Sequence, residues 1–183
     1  NRVEDAERLI SKYPGTSPGL VFQQGALAFR KGDYPLAQSL FREAARRASE
    51  KTAESALFNE NLAALNANDA AGAAALVKEA AGSAQLREHI LFEQAHYAAK
   101  RMNPQAPELL ASFVALATDP ALKTQARLDQ AEVALNLNPP DLETVQAVLP
   151  PLEKEQLTPE QTMQLARLNI LEAESRQEWP SAI

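Results

Sequence analysis

Residues 21–45 read VFQQGALAFRKGDYPLAQSLFREAA, and residues 57–81 read LFNENLAALNANDAAGAAALVKEAA. The two stretches align without a gap at a spacing of 36 residues. In both, apolar residues recur three and four positions apart, which is the pattern of a helix that buries one face. Gly32-Asp33 interrupts the first stretch and divides it into two helices. The chain therefore repeats a two-helix unit.

The same unit continues along the chain. Residues 91–103 match its first half after a step of 34, and residues 127–138 match after a further 36. Near the end, RQEWPSA matches KGDYPLA of the first unit. Because such periods are typical of helical solenoids, we predict a single all-α repeat domain. Its expected parts are a partial repeat at 1–15, repeats at about 17–50, 52–84, 86–118 and 120–156, and a partial repeat at 158–183.

Helix starts are marked by capping residues followed by proline in the first turn. The pairs that show this are Ser17-Pro18, Asn103-Pro104, Asp119-Pro120 and Thr158-Pro159. Within the first unit, Asp33 is expected to cap the second helix, with Pro35 early enough to be tolerated. No segment alternates apolar and polar residues with the period of two that a strand requires.

The first unit resembles a tetratricopeptide repeat. Its signature residues are Gly25 in the first helix, the turn Gly32-Asp33-Tyr34, and Ala37, Phe41 and Ala44 in the second helix. The second unit repeats the signature with Asp69, Ala73 and Ala80, and Trp179 takes the position of Tyr34 in the last partial repeat. The resemblance implies a right-handed α-solenoid of antiparallel helix pairs, with about ten to eleven helices. Asn61, Ala95 and Ala131 stand where the first unit has Gly25.

In that family the first helices of successive repeats line a concave groove that holds partner peptides. The resemblance implies a partner-binding groove here, formed by Phe22, Phe29, Arg30, Phe58, Asn59, Leu62, Asn66, Phe92, His96, Lys100, Leu128 and Glu132. Its aromatic column could anchor a partner segment, since aromatic side chains dominate interface energies. The alternative is that these rings pack as ordinary core between repeats. Some family members grip a terminal carboxylate, but only Asn59 and Lys100 fit that clamp, so we expect none here.

The composition of the chain argues against a membrane span and against nucleic-acid binding. The chain has 183 residues, no cysteine and a formal charge of -6, and no apolar run reaches the length of a membrane span. A nucleic-acid binder usually carries a basic patch, whereas the strongest basic cluster here is interrupted by acids. We interpret that cluster as a solvated helix face, formed by Arg42, Arg46, Arg47 and Lys51.

One motif carries metal-binding residue types. His89, Glu93 and His96 lie four and three apart, which places them on one face of a helix. A di-metal carboxylate site needs a second Glu-x-x-His and two more glutamates, and the chain has only two histidines. We therefore expect a surface or groove cluster, with no bound metal and no cofactor. No phosphate loop or nucleophile motif is present, so we expect no enzyme.

Three functions remain open from the sequence. The first is a scaffold that binds a protein or peptide, the second a structural spacer or a segment that self-associates through open repeat ends. The third is a recruiting domain of a larger enzyme. The chain begins and ends inside a repeat, so we expect it to be part of a longer array. Its richness in Ala and Gln and its lack of Cys favour a bacterial protein, of the cell envelope or periplasm.

Overall fold

The computed structural model describes Asp5, Arg8 and residues 17–176. Residues 17–176 form α-helices and no strand, which confirms the expected all-α class. The helices are α1 (Pro18–Arg30), α2 (Tyr34–Arg47), α3 (Glu50–Asn66), α4 (Ala70–Glu79), α5 (Ala84–Lys100), α6 (Ala106–Leu116), α7 (Pro120–Leu135), α8 (Leu142–Leu152) and α9 (Pro159–Ser175). A 3-10 turn, Ala80–Gly82, follows α4. The expected total of ten to eleven helices stays a prediction, because most of 1–15 and all of 177–183, with Trp179, lie outside the described residues.

Most predicted helix starts are confirmed. The side chains of Ser17, Asp33, Asp119 and Thr158 each accept a hydrogen bond from a backbone N–H in the first turn of the following helix. Thr158 forms a full capping box with Gln161. These bonds satisfy backbone donors that a helix leaves unpaired at its N-terminus. Asp69 caps α4 in the same way, through the N–H of Gly72 at 2.9 Å.

The start predicted at Asn103-Pro104 is wrong by a few residues. Asn103 Oδ1 accepts from the N–H of Gln105 at 2.9 Å, and α6 begins only at Ala106, with Pro107 in its first turn. The polar side chain therefore stabilises a turn that precedes the helix. Pro107, three residues after Pro104, lies in the first turn of α6, a position for which the backbone of proline is preorganised.

The turn inside the first three full repeats has the same backbone geometry. Gly32, Asn68 and Met102 adopt positive φ angles of 80°, 58° and 51°, at the spacings of 36 and 34 found in the sequence. The next residue in each case donates its N–H to the carbonyl five residues back, at 2.9–3.0 Å, in the pairs Asp33–Ala28, Asp69–Ala64 and Asn103–Ala98. This is a Schellman ending, in which a left-handed residue lets the chain satisfy the last helix carbonyls.

The chain divides into two compact units, Asn1–Ile90 and Leu91–Ile183. From here on, the first and second unit are these two halves and not the two-helix repeats. In the first unit, α2 packs against both α1 and α3. Its apolar clusters are Ala28, Ala37, Phe41 and Ala63; Val21, Ala44 and Ala56; and Leu76, Ala80, Leu86 and Ile90. The prediction of one repeat domain over 1–183 stays a prediction.

In the second unit, α7 packs against α6, α8 and α9. One cluster gathers residues of α5, α6 and α7 around Phe92, Leu110 and Phe113. A second gathers residues of α7, α8 and α9 around Leu128, Leu149 and Leu168. Consecutive helices thus bury their apolar stripes on their neighbours, as helical repeats do.

Small residues recur at buried positions of the first helices. Gly25, Asn61, Ala95 and Ala131 are all buried, and so are Ala28, Ala64, Ala98 and Ala134. At Gly25 the reason is visible, because a Cβ there would lie 2.9 Å from two ring carbons of Phe41. Close approach of neighbouring helices therefore requires these residues to stay small. Among the described helices, none combines the length and the apolarity needed to cross a membrane.

Candidate functional site

The predicted groove residues Phe22, Phe29, Phe58, Phe92 and Leu128 form the aromatic column, and two of them, Phe92 and Leu128, are buried. Leu128 is 0 % exposed and Phe92 7 %, so neither can meet a partner, and the prediction is wrong for these two residues. Phe22 is half-buried against Phe41, with ring centroids 5.3 Å apart. The ring of Phe29 contacts Tyr34 at 5.2 Å. The alternative weighed from the sequence, packing as core between repeats, describes Phe92 and Leu128. The ring contacts of Phe22 and Phe29 are with residues of their own repeat.

Phe58 is different, because it lines a cavity open to solvent. The cavity has a volume of about 350 Å³ and lies between α3 and residues 85–89 of α5. Its wall is formed by Lys51, Glu54, Ser55, Phe58, Asn59, Gln85, Leu86 and His89. The half-buried ring of Phe58 meets the imidazole of His89 edge to face, with centroids 6.3 Å apart. Of the predicted groove residues, the structure thus brings Phe58 and Asn59 together in one concave site.

The polar groups of this cavity retain bonding capacity. Asn59 donates its Nδ2–H to the carbonyl of Ser55 at 2.8 Å, which directs the amide along the helix and leaves Oδ1 as an acceptor. Lys51 and Glu54 lie at the same wall, and within residues 17–176 neither side chain forms an ion pair. The cavity therefore offers an aromatic surface beside charges of both signs.

Three further predicted groove residues of the first unit, Arg30, Leu62 and Asn66, do not line this cavity. Asn66 donates its Nδ2–H to the carbonyl of Leu62 at 2.8 Å, and both residues are half-buried. Arg30 is exposed in the last turn of α1. These three residues stay predicted groove residues.

In the second unit the predicted groove residues His96, Lys100 and Glu132 take part in one hydrogen-bonded network. His96 Nδ1 lies 2.5 Å from Asp129 Oδ2, and Lys100 Nζ lies 3.0 Å from Glu132 Oε2. Arg167 of α9 forms an ion pair with the other oxygen of Glu132. Two glutamines complete the network, which we name the α5–α7–α9 polar network: Gln125 donates to Asp129 at 3.2 Å and to Gln164 at 3.0 Å, and Gln164 donates to Glu132 at 3.2 Å.

The network shifts the pKa values of His96 and Glu132. The hydrogen bond to Asp129 raises the pKa of His96 above 6.5, although burial of the ring acts in the opposite direction. Burial acts to raise the pKa of Glu132, but the hydrogen bond and charge of Lys100, together with Arg167, outweigh it and lower the pKa below 4.5. Both shifts favour the charged forms of residues that join neighbouring helices.

A buried carboxylate also joins α2 to α3. Glu60 is 0 % exposed, and its Oε1 accepts from Arg42 Nε at 2.7 Å. Its Oε2 has no hydrogen-bond partner within the described chain. Burial raises the pKa of Glu60 above 4.5, and Arg42 reduces that shift without cancelling it. Arg42, whose side chain is 40 % exposed, therefore pairs with a buried charge while remaining on the basic face that the sequence predicts to be solvated.

A second cavity, of about 480 Å³, lies in the second unit beside the first turns of α7 and α9. Glu155 dominates its polar wall: its carboxylate accepts from Thr124 Oγ1 at 2.6 Å and from Arg127 at 2.8 Å. The nearest acid and base thus satisfy each other, and Lys123 is the third charged residue of the wall. No sequence motif marked this cavity, because Glu155 lies in a connection between helices.

The two histidines of the motif His89, Glu93 and His96 lie in different environments. His89 belongs to the cavity at Phe58, and His96 is directed to Asp129. Among residues 17–176, no group of three or more His, Asp or Glu side chains is arranged to hold a metal ion.

No family model, curated protein or solved structure matches this chain.

Sequence reasoning missed two buried carboxylates: Asp129 of the α5–α7–α9 polar network and Glu60, the partner of Arg42. Asp129 follows Leu128 on α7, and Glu60 follows Asn59 on α3; both carboxylates are buried. A usable signal exists on α7, where Gln125, Asp129 and Glu132 are spaced four and three apart. Such spacing puts polar residues on one helix face beside the apolar stripe.

Proposed function

We propose that this chain is a scaffold that binds a protein or peptide, and that its helix pairs form a tetratricopeptide-like, right-handed α-solenoid. The observation that carries the proposal is the cavity at Phe58. It lies between two first helices, α3 and α5, where the sequence resemblance put the groove. The recurring Schellman turns support the repeat architecture.

The chemistry of the cavity suits a peptide segment. The Phe58 ring provides an apolar contact for a partner side chain, and aromatic residues are the commonest anchors of interfaces. Asn59 Oδ1 can accept a backbone N–H, while Lys51 and Glu54 can pair with charges of the partner. The proposed activity is binding, with no catalytic step, and a recruiting module of a larger enzyme would use the same cavity.

The test is a quantitative pull-down of the full chain from extract of the cells that make it. Phe58→Ala removes the ring, and Asn59→Ala removes the amide without touching the apolar cluster. The matched control is Leu36→Ala, which removes an exposed leucine of α2. We expect a protein retained by wild type and control to fall about tenfold with Phe58→Ala, the effect of losing roughly 1.4 kcal/mol.

Equal retention by all four proteins would place binding away from the cavity. A second candidate function, self-association, is favoured by exposed apolar side chains of α9, where Met163 is 68 % and Ile170 47 % exposed on positions seven apart. If nothing is retained and the mass in sedimentation rises with concentration, self-association replaces the binding proposal.

A further inference from the structure

The carboxylate of Asp129 is a buried charge with an incomplete set of counter-ions. Its side chain is 0 % exposed. His96 Nδ1 is 2.5 Å from Oδ2 and Gln125 donates to Oδ1, whereas Lys100 Nζ stays 3.8 Å from Oδ1. Lys100 is closer to Glu132, at 3.0 Å. When His96 is neutral, the closest donors to Asp129 are therefore both neutral.

His96 is held in place by the second-unit core. Its ring stacks on Phe92 at 5.4 Å between centroids, with the planes 20° apart. Phe92 in turn contacts Phe113 of α6. A cation over an aromatic face is attracted by the ring, so this stacking also favours the protonated imidazole.

The charged groups that face His96 come from two helices. From α7 comes Asp129, and from α5 itself come Lys100, which opposes protonation, and Glu93, which favours it. The only ionisable residue of α6 is Glu108, which is exposed in its first turn and adds nothing to these effects. Attraction by the two acids and the hydrogen bond exceeds the opposition of Lys100 and of burial.

We propose that His96 and Asp129 form a proton-dependent clasp that ties α5 to α7 and tightens as the pH falls. Protonation of the imidazole converts a neutral hydrogen bond into an ion pair around a buried carboxylate, where a paired charge is far less costly than an unpaired one. The clasp is a property of the second unit and does not depend on the partner cavity at Phe58.

The direction of the effect follows from the raised pKa of His96. The stabilisation is fully present below the unfolded value of 6.5 and is lost as the pH rises through the higher folded value. The clasp therefore loosens over a pH range above 6.5, where most carboxylates are already ionised.

The first measurement is an NMR titration of the imidazole signals in the full chain. The chain has only two histidines, so His89→Asn assigns both signals. We expect His96 to titrate with a midpoint above 6.5, and Asp129→Asn to move that midpoint down to 6.5 or below. A midpoint at or below 6.5 in wild type, or one that Asp129→Asn leaves unchanged, would overturn the proposal.

A second measurement covers the case in which Asp129→Asn fails to fold. Amide protection factors of α7 are compared at about pH 6 and about pH 8.5. In wild type they should fall by about tenfold for each unit between the folded and unfolded titration midpoints. His96→Asn keeps a donor at the same position but cannot take up charge, and should abolish the fall. His89→Asn should retain it; a fall that persists in His96→Asn contradicts the clasp.

Discussion

Gly25 shows how one residue sets the distance between two helices. It is buried on α1, and the ring of Phe41 on α2 occupies the space that its side chain would need. The ring is itself 1 % exposed and cannot turn away into solvent. The smallness of position 25 is therefore a packing requirement that outweighs the low helix propensity of glycine.

Gly25→Ala should destabilise the folded chain. The added methyl group must push a fully buried ring, and overpacking of this kind costs about 1–3 kcal/mol, more than the helix propensity gained. Urea denaturation followed by circular dichroism measures the change. Gly19→Ala is the matched control, since it lies on the same helix with no atom within 4 Å of the added Cβ. It should leave stability unchanged or raise it by up to about 1 kcal/mol through helix propensity; a neutral Gly25→Ala would show that α1 and α2 adjust freely.

At the scale of the element, α2 is joined to α3 by more than apolar packing. Glu60 projects from α3 into a buried position and meets Arg42 of α2. One carboxylate oxygen has no partner within the described chain. A buried pair of this kind adds little net stability, but loss of one member leaves a charge without compensation.

Arg42→Met should destabilise the chain by about 3 kcal/mol at neutral pH, because Glu60 then remains buried without its counter-ion. The measurement is the free energy of unfolding in urea. Arg47→Met, on the same helix and paired with the exposed Glu43, is the control and should stay within about 1 kcal/mol of wild type.

The same pair has a pH signature. The raised pKa of Glu60 means that its contribution to stability is fully present below 4.5 and is lost as the pH rises through the folded value. A protonated carboxyl needs no counter-ion, so the loss caused by Arg42→Met should shrink as the pH is lowered. A loss that is independent of pH would indicate that Arg42 acts through its packed stem alone.

At the scale of the whole molecule, stability is distributed over local clusters. Leu149 of α8 is 1 % exposed, and every residue of its cluster lies on or beside α7, α8 and α9. The clusters of the first unit are made only of residues between 21 and 90. In helical repeats, stability is close to a sum of such neighbouring terms.

Leu149→Ala should therefore act regionally. We expect a loss of about 2–5 kcal/mol in the protection of amides in α7, α8 and α9, the usual cost of emptying a core leucine position. Amides of α1 and α2 should keep their protection in the same hydrogen-exchange measurement. Leu116→Ala removes a leucine that is 75 % exposed and should leave both regions unchanged. Equal loss in both regions would mean that the chain unfolds as one cooperative unit.

The sequence by itself determined the helices and much of their ends. Caps such as Ser17 and Thr158, and the turns at Gly32 and Asn68, depend on atoms a few residues apart, so local chemistry fixes them. The period of the repeat follows from the same local signals. Phe58 and Asn59, which the repeat register predicts to line a groove, line a cavity of the structure.

Only the tertiary structure decided which members of a repeated column are exposed. Phe58 lines a cavity while Phe92 and Leu128, at equivalent positions, are core, since the neighbouring helices contribute different side chains around each. Likewise, His96 meets Asp129 across 33 residues and Arg42 meets Glu60 across 18. Helical periodicity gives the face of a residue but not its partner, and the energy of a buried charge is set by that partner.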